Sequence, residues 1–166
     1  MSRKVYVLDT NIILQDISNV FKLSDNGTND VVISDTVLME LEDKKKLTNE
    51  IGFYSREFAR LLAKMNTKSI TFESGFKVMQ IEYGTLLLHI ISKDKYDTQS
   101  DAVNINETND KKIIEVAQIC KNYFDGLEVI FVSLDIYART FALFAGLSTQ
   151  TLRDDRADVP EFEFVK

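Results

Sequence analysis

The sequence predicts one α/β domain with a central, mostly parallel sheet that is covered by helices on both faces. Its 166 residues are about the length of a single domain. Hydrophobic residues make up 45% of the chain and charged residues 28%, which is typical of a folded protein with its own core. Short, continuously apolar segments alternate with amphipathic ones, as buried parallel strands alternate with helices.

The first third of the chain contains two apolar strand patterns and two helical patterns. The helix after the second strand has Ser34 or Asp35 as its cap, and the last helix shows an apolar stripe at helical spacing. The predicted strands are residues 4–8 and 31–33. Between them we expect a short turn or helix at 11–16 and a loop at 25–30. One helix is predicted to begin after Ser34, and a second covers residues 51–65.

The middle of the chain is rich in β-forming residues. Ser74-Gly75 and Gly84-Thr85 are turn signals, so we expect a hairpin or a three-strand meander, taken as a β-hairpin insertion over residues 70–91. Residues 92–108 are polar and acidic without periodicity, which predicts a loop.

The last third returns to alternating helices and strands. The inward face of its first helix carries Ile113, Val116, Ala117 and Cys120. We predict a helix at residues 109–124, a strand at 129–132, a helix at 136–145 that Gly146 ends, and a short strand at 149–151. Residues 1–151 are thus predicted to form one domain, and residues 152–166 a tail or linker.

The scarcity of certain residues excludes several kinds of site. A single cysteine, Cys120, excludes an internal disulfide and a thiolate zinc cluster, and a single histidine, His89, excludes a multi-histidine metal site. Both are interpreted as core residues. The net charge of −6 means that a polyanion must be held by a local basic patch or by bound cations. No apolar run is long enough to span a membrane and no signal peptide is recognisable, so we expect a cytoplasmic protein.

Four acidic residues from separate segments are predicted at one edge of the sheet. Asp9 directly follows the first strand and Asp135 follows the strand at 129–132, while Glu40 and Asp110 lie early in two helices. Ligands of open α/β sheets bind beyond the carboxyl ends of the strands. Asp110 and Asp135 are equally explained as charges that offset helix dipoles, and Glu40 as a solvated helix residue. Asp9 is costly to bury unless something binds it.

Four segments resemble, in order, the motifs of the PIN-domain family of metal-dependent nucleases. They are VLDTNIILQD, ISDTVLMELEDKKK, NDKKIIEVAQ and VIFVSLDIYARTFALFAGL. The likeness is closest to the PIN half of PIN–PhoH proteins, which have a hairpin with a Gly-rich turn before the third motif, as in YGTLLLHII. It covers about residues 4–151. Leu134 and Phe141 stand where that subgroup has lysines, which implies weaker phosphate binding. The chain lacks G-x-x-x-x-G-K-[ST], so no nucleotide hydrolysis is expected.

This resemblance implies a PIN-like three-layer α/β/α fold and a metal-dependent endoribonuclease that hydrolyses single-stranded RNA with Mg²⁺ or Mn²⁺. In this hypothesis Asp9 and Asp135 hold the first ion, while Glu40 and Asp110 complete its ligand set or hold a second. The implied substrate-binding residues are Asn11, Ser133 and Arg139; of these, Asn11 is expected to hydrogen-bond the turn that aims Asp9, and Ser133 to orient the nucleophilic water. The candidate phosphate contacts are Arg139, Lys44, Lys45 and Lys46. Asn11 and Ser133 are equally explained as turn residues, and the lysine run as a solvated face. The resemblance also implies a homo-oligomer and a PhoH-type ATPase domain or protein as a partner.

Three other functions remain open from the sequence. The first is a non-catalytic PIN-fold module that binds RNA or protein, and the second is the toxin of a toxin–antitoxin pair. The third is a haloacid-dehalogenase-like phosphatase, a class that also places Asp after its first strand. Such enzymes resemble D-x-D-x-T there, and DTNII lacks the second Asp.

Overall fold

The structure is a computed structural model, and it describes residues 2–94 and 108–152. Most of the predicted polar loop at 92–108, and all of the predicted tail except Leu152, lie outside the described residues.

The described residues form seven strands and six helices. The strands are β1 (Lys4–Leu8), β2 (Asp30–Ser34), β3 (Asn66–Glu73), β4 (Phe76–Tyr83), β5 (Leu86–Lys93), β6 (Glu128–Val132) and β7 (Ser148–Gln150). The helices are α1 (Thr10–Gln15), α2 (Ser18–Ser24), α3 (Asp35–Lys44), α4 (Glu50–Lys64), α5 (Asn109–Tyr123) and α6 (Ile136–Phe144).

All seven strands belong to one sheet, in the order β3-β4-β5-β2-β1-β6-β7. The pairs from β5 to β7 are parallel, and the pairs β3–β4 and β4–β5 are antiparallel. Helices flank this mostly parallel sheet, so the predicted fold class is confirmed. Continuous apolar runs explain the central strands: β1 and β2 are buried along almost their whole length.

The β-rich middle forms the three-strand meander rather than a lone hairpin. Its turns contain Gly75 and Gly84, whose φ angles of 91° and 59° suit glycine. Because β5 pairs in parallel with β2, the meander extends the central sheet and begins earlier than the predicted insertion, at Asn66.

Helix α2 was not predicted from the sequence. It has seven residues, and its Ser and Asn content favours turns as much as helix. Burial of Val20 and Leu23 against the core stabilises it, and Asp25 ends it in the left-handed conformation with φ of 50°.

The single cysteine and the single histidine, which we predicted to be core residues, are both buried. Cys120 packs from α5, and His89 packs from β5 against Phe124. His89 is also hydrogen bonded: its Nε2 lies 3.0 Å from Asp30 Oδ1, and its Nδ1 lies 3.3 Å from Gln80 Nε2. Within the described residues, no helix is long and apolar enough to cross a membrane.

Candidate active site

The carboxyl end of β1 is the point at which the sheet topology reverses. β1 lies between β2, which is the next strand along the chain, and β6, which is the last but one of the seven described strands. Because all three run parallel, their carboxyl ends lie along one edge of the sheet. Ligand sites of open α/β sheets form at such reversal points. Asp9 follows β1 directly at this position.

Asp9 is buried, with 4% of its surface exposed, and is held by three donors. Its Oδ1 accepts from the backbone N–H of Thr10 at 2.8 Å, which caps α1. Its Oδ2 accepts from the Ser133 hydroxyl at 2.7 Å and from Asn11 Nδ2 at 3.4 Å. These bonds fix the orientation of the carboxylate before any ligand binds.

Asn11 and Ser133 join the ends of β1 and β6. Asn11 Oδ1 accepts from the backbone N–H of Leu134 at 3.1 Å, and Ser133 Oγ accepts from that of Asp135 at 3.0 Å. Ser133 is completely buried and gives its hydroxyl proton to Asp9. Its geometry is therefore that of a residue that positions Asp9, whereas the sequence hypothesis placed it against substrate.

Glu40 approaches Asp9 from the middle of α3, and Asp110 approaches it from the first turn of α5. Ser34 caps α3 and Thr108 caps α5, so each helix begins at this edge of the sheet. Glu40 accepts from the Thr10 hydroxyl and, at 3.4 Å, from Asn109 Nδ2. The hydrogen bond from Thr10 brings the second acidic motif against the first.

Asp135 stands at the start of α6. Its Oδ1 accepts from the backbone N–H of Tyr137 at 2.9 Å and caps the helix. The sequence left open whether Asp135 serves the site or the start of a helix, and the structure shows that it caps α6. No described donor contacts its Oδ2, so one carboxylate oxygen remains for a ligand.

The pKa shifts show that these carboxylates share one electrostatic environment. Burial raises the pKa of Asp9 to about 6; the hydrogen bond from Ser133 opposes this, and the charges of Asp110 and Glu40 add to it. Burial, then the charges of Asp135 and Glu40, raise the pKa of Asp110. Each of the four acids thus interacts with another, and the cluster is unfavourable without a cation.

The donor set fits a hard cation in its chemistry. It consists of carboxylate oxygens, with His89 committed to Asp30 and Cys120 in the core, and oxygen ligands suit Mg²⁺ and Mn²⁺. Within residues 2–94 and 108–152, however, no three His, Cys, Asp or Glu side chains are close enough to form a metal-binding group. The four acids interact through their charges without forming a closed ligand set.

Comparison with known proteins decides the family. Residues 6–153 match the PIN domain family. The chain belongs to that family. PIN domains are generally metal-dependent nucleases.

The chain is similar to one curated protein in sequence and to one solved structure in fold. The chain is 32% identical over 157 residues to Protein PhoH2 of Bacillus subtilis, and the match covers 92% of the chain but 34% of PhoH2. It thus spans about a third of the length of that relative. A domain of a functionally unknown protein from Methanocaldococcus jannaschii shares the fold, with a TM-score of 0.57, 17% identity, and coverage of 95% of this chain and 96% of that one.

Some basic residues near the site are hydrogen bonded or ion paired within this PIN domain, and others make no salt bridge with a described residue. Arg139 Nη1 donates to the carbonyl of Ser133 at 2.7 Å, so this half-buried side chain braces the β6–α6 loop. Lys45 pairs with Glu42 at 2.7 Å. Lys44 and Lys112 make no salt bridge with any described residue. They line one cleft of about 460 Å³ beside the acidic cluster.

Three residues of this site were missed by sequence reasoning: Thr10, Asn109 and Lys112. Thr10 follows Asp9 and Asn109 precedes Asp110 in the sequence. Their position next to these two acids could have identified them as residues of the site. Lys112 gave no signal, because its proximity to Glu40 arises only when α5 packs against α3.

Proposed function

We propose that this PIN domain is an endoribonuclease that hydrolyses phosphodiester bonds of single-stranded RNA with Mg²⁺ or Mn²⁺. One observation carries the proposal: burial raises the pKa of Asp9 to about 6 and the charges of Asp110 and Glu40 add to this effect, an arrangement that a divalent cation would relieve. Membership of the PIN domain family supports the same chemistry.

The proposed ligands are the four acids. Asp9 and Asp135 hold the first ion, and Glu40 and Asp110, which are both half-buried, complete its ligand set or hold a second by turning toward it. Such an ion, when bound, lowers the pKa of a water molecule and neutralises charge on the phosphate.

The other residues of the site keep these ligands in place. Ser133 and Asn11 hold Asp9, and Thr10 and Asn109 hold Glu40. None of them needs to transfer a proton in the reaction. Removing one should therefore weaken cation binding more than it changes the chemistry of the bound substrate.

The cleft beside Glu40 gives the RNA a path to the acids. Lys44 lies one helical turn after Glu40, and Lys112 lies two residues after Asp110. Two positively charged side chains therefore flank the carboxylates. A chain of net charge −6 repels RNA overall, and these local charges offset that repulsion at the site. The same cleft is lined by Thr36, Met39, Glu40, Asp43, Lys44, Asn109 and Lys112.

The first experiment measures cleavage of a labelled single-stranded RNA in Mn²⁺, in Mg²⁺ and in EDTA. We expect cleavage only with a divalent cation, and a loss of at least about 100-fold in Asp9→Asn, since a ligand to the ion is removed. Asp25→Asn, an exposed aspartate beyond α2, is the matched control and should cleave like wild type. Equal activity of Asp9→Asn and wild type would exclude the proposal.

The second experiment tests the RNA path. Lys44→Ala and Lys112→Ala should each raise KM and reduce the salt dependence of RNA binding by about one counterion, with kcat little changed. Lys45→Ala is the control on the same helix, because Glu42 already neutralises that ammonium. If Lys45→Ala weakens binding as much as the other two, the cleft is not the path.

A non-catalytic RNA-binding module is the second candidate, favoured by the lack of a closed metal-binding group within the described ranges. It predicts that the RNA stays bound in EDTA and that no divalent cation produces turnover. The cleavage assay together with RNA binding in EDTA separates the two functions.

The match to PhoH2 also supports a PhoH-type ATPase as a partner of this domain. Co-purification of the chain with a PhoH protein from the same cell tests this. Failure of that interaction leaves the nuclease proposal intact.

A further inference from the structure

A second cleft, between α3 and α4, adjoins the lysine-lined cleft of the proposed RNA path. We call it the α3–α4 groove. Its volume is about 380 Å³, which lies in the size range of ligand sites, about 300 Å³ and above. Its apolar lining consists of Leu38, Met39, Leu41, Phe58, Ala59 and Leu62. These side chains have no part in the proposed cleavage, so the groove needs an explanation of its own.

The α3–α4 groove is formed before any ligand binds. Phe58 and Leu41 form its floor, with exposed fractions of 1% and 4%. The Ser55 hydroxyl donates to the carbonyl of Leu41, and because both residues line the groove, this bond fixes the spacing of the two helices there. A ligand therefore does not have to separate α3 from α4, which lowers the free-energy cost of binding.

Met39 joins the α3–α4 groove to the lysine-lined cleft, because its side chain lines both. It is 70% exposed and directly precedes Glu40, a proposed ligand of the ion. A single strand whose phosphates lie beside Lys44 and Lys112 would therefore bring its bases to the groove. The thioether of methionine also makes favourable contacts with aromatic rings, and a nucleobase is such a ring.

The charges around the two clefts suit different parts of a nucleotide. Lys45 and Glu42 line the α3–α4 groove and pair with each other at 2.7 Å, so their charges cancel. Lys44 and Lys112, in the neighbouring cleft, make no salt bridge with any described residue. A phosphate is therefore attracted to the lysine-lined cleft, whereas an uncharged planar ring gains more in the groove.

We propose that the α3–α4 groove is a base-binding subsite, in which one unstacked base of single-stranded RNA packs against Met39 while its phosphate lies in the lysine-lined cleft. Proteins recognise single strands by packing unstacked bases against side chains. Because Met39 precedes Glu40, the bound base belongs to a nucleotide close to the phosphate that is cleaved. The inference rests on RNA being the ligand of the proposed function, but it does not require that the RNA be cleaved.

RNA binding in EDTA at low salt tests the subsite without cleavage. Fluorescence anisotropy compares a short labelled oligoadenylate with an abasic ribose-phosphate chain of the same length. Wild type should bind the oligoadenylate at least about 5-fold more tightly, and up to about 150-fold, the range for one stacked base. Ala59→Phe fills the groove from an exposed position and should remove most of this preference, with binding of the abasic chain unchanged. Ala63→Phe, exposed one turn later on α4 and outside the groove lining, is the matched control and should bind like wild type.

A spectrum of the protein with ¹³C-labelled methionine methyl groups reports where the base lies. The chain has four methionines, Met1, Met39, Met65 and Met79, so each signal can be assigned by substitution. The ring current of a base that packs against a methyl group shifts its signal upfield. Oligoadenylate should therefore shift the Met39 signal and leave that of Met79 on β4 in place, whereas the abasic chain should shift neither.

The outcomes separate the subsite from the nuclease. Equal binding of the two probes by wild type, or a full preference in Ala59→Phe, would overturn the subsite and leave the nuclease proposal intact. A base preference that Ala59→Phe removes, in a chain that cleaves no RNA with any divalent cation, would support the subsite and exclude the nuclease. If wild type binds neither probe, the subsite and the RNA path are both wrong, and the groove is left to an apolar segment of a protein partner.

Discussion

Two aspartates that are almost equally buried have opposite pKa shifts. Asp9 and Asp30 are 4% and 5% exposed. Burial raises the pKa of Asp9 to about 6, with acids as neighbours. Burial would also raise the pKa of Asp30, but hydrogen bonds from His89 and Arg3 outweigh it and lower the pKa to about 2. The charge of Asp30 is thus balanced by Arg3 and His89, whereas the charged neighbours of Asp9 that act on its pKa are acids.

Asp30→Asn should destabilise the fold by roughly 2 kcal/mol at neutral pH, since the charge on which Arg3 and His89 converge is removed. The folded-state pKa is depressed, so this stability is present above the unfolded value near pH 4 and is lost as the pH falls toward 2. Urea denaturation of wild type and variant at several pH values measures the difference, which should shrink across that window.

The control for Asp30→Asn is Asp25→Asn, which changes an exposed aspartate at the end of α2. Its stability should follow that of wild type at every pH. If Asp30→Asn shows the same stability deficit at pH 2 as at pH 7, the ion pair and hydrogen bonds to Asp30 do not stabilise the folded state.

At the scale of secondary structure elements, the α3–α4 connection depends on Gly52. A Cβ built at this position would lie 1.8 Å from the carbonyl oxygen of Leu47, and Arg56 Nη1 donates to that same carbonyl at 2.8 Å. The connection is therefore packed against the first turn of α4 with no room for a side chain.

Gly52→Ala should destabilise the protein by at least about 2 kcal/mol, although alanine in place of glycine in a helix normally stabilises by up to about 1 kcal/mol. The clash forces the Leu47 carbonyl away and breaks its bond with Arg56. Thermal denaturation checks the sign. Ala63→Gly, at an exposed position of the same helix, should lose only about 1 kcal/mol; a stabilised Gly52→Ala would show that the connection moves freely.

The elements differ in how far the sequence determined them. Strands β1 and β2 and the helix cap at Ser34 follow from local residue patterns, so they could be predicted. The pairing of β5 with β2 could not, because no local pattern states which strand becomes a neighbour. Helix α2 was missed since its stability comes from tertiary burial rather than propensity.

In the site, too, some residues could be predicted from local sequence patterns and others depend on how the helices pack. Asp9, Asp110 and Asp135 were identifiable because they lie just after a strand or in the first turn of a helix, and Glu40 because its segment resembles the second PIN motif. Thr10 against Glu40 and Lys112 beside the cleft depend on how α3 and α5 pack over the sheet, which the sequence does not reveal. The contact of Arg139 could not be predicted for a similar reason: its partner is the backbone carbonyl of Ser133, and a sequence does not reveal which carbonyl group a side chain will contact.

For the whole molecule, the acidic cluster concentrates negative charge at one edge of a protein whose net charge is already −6. The folded state therefore carries an electrostatic cost that the unfolded chain, with its acids far apart and hydrated, does not. Divalent cations that bind only the folded state should recover this free energy. Stability and the proposed activity are linked through Asp9, which is the most buried of the four acids.

We expect Mn²⁺ to raise the Tm of wild type by roughly 5–10 °C at 100 times its Kd, because such binding contributes about 2.7 kcal/mol in a domain of this size. In EDTA at pH 8, Asp9→Asn should be more stable than wild type by roughly 1–3 kcal/mol, since a buried charge with a raised pKa is removed. The variant should show little shift with Mn²⁺. Differential scanning calorimetry of both proteins, with and without Mn²⁺, measures all four states. An Asp9→Asn protein that is less stable in EDTA, yet gains the full shift from Mn²⁺, would place the cation elsewhere in the molecule.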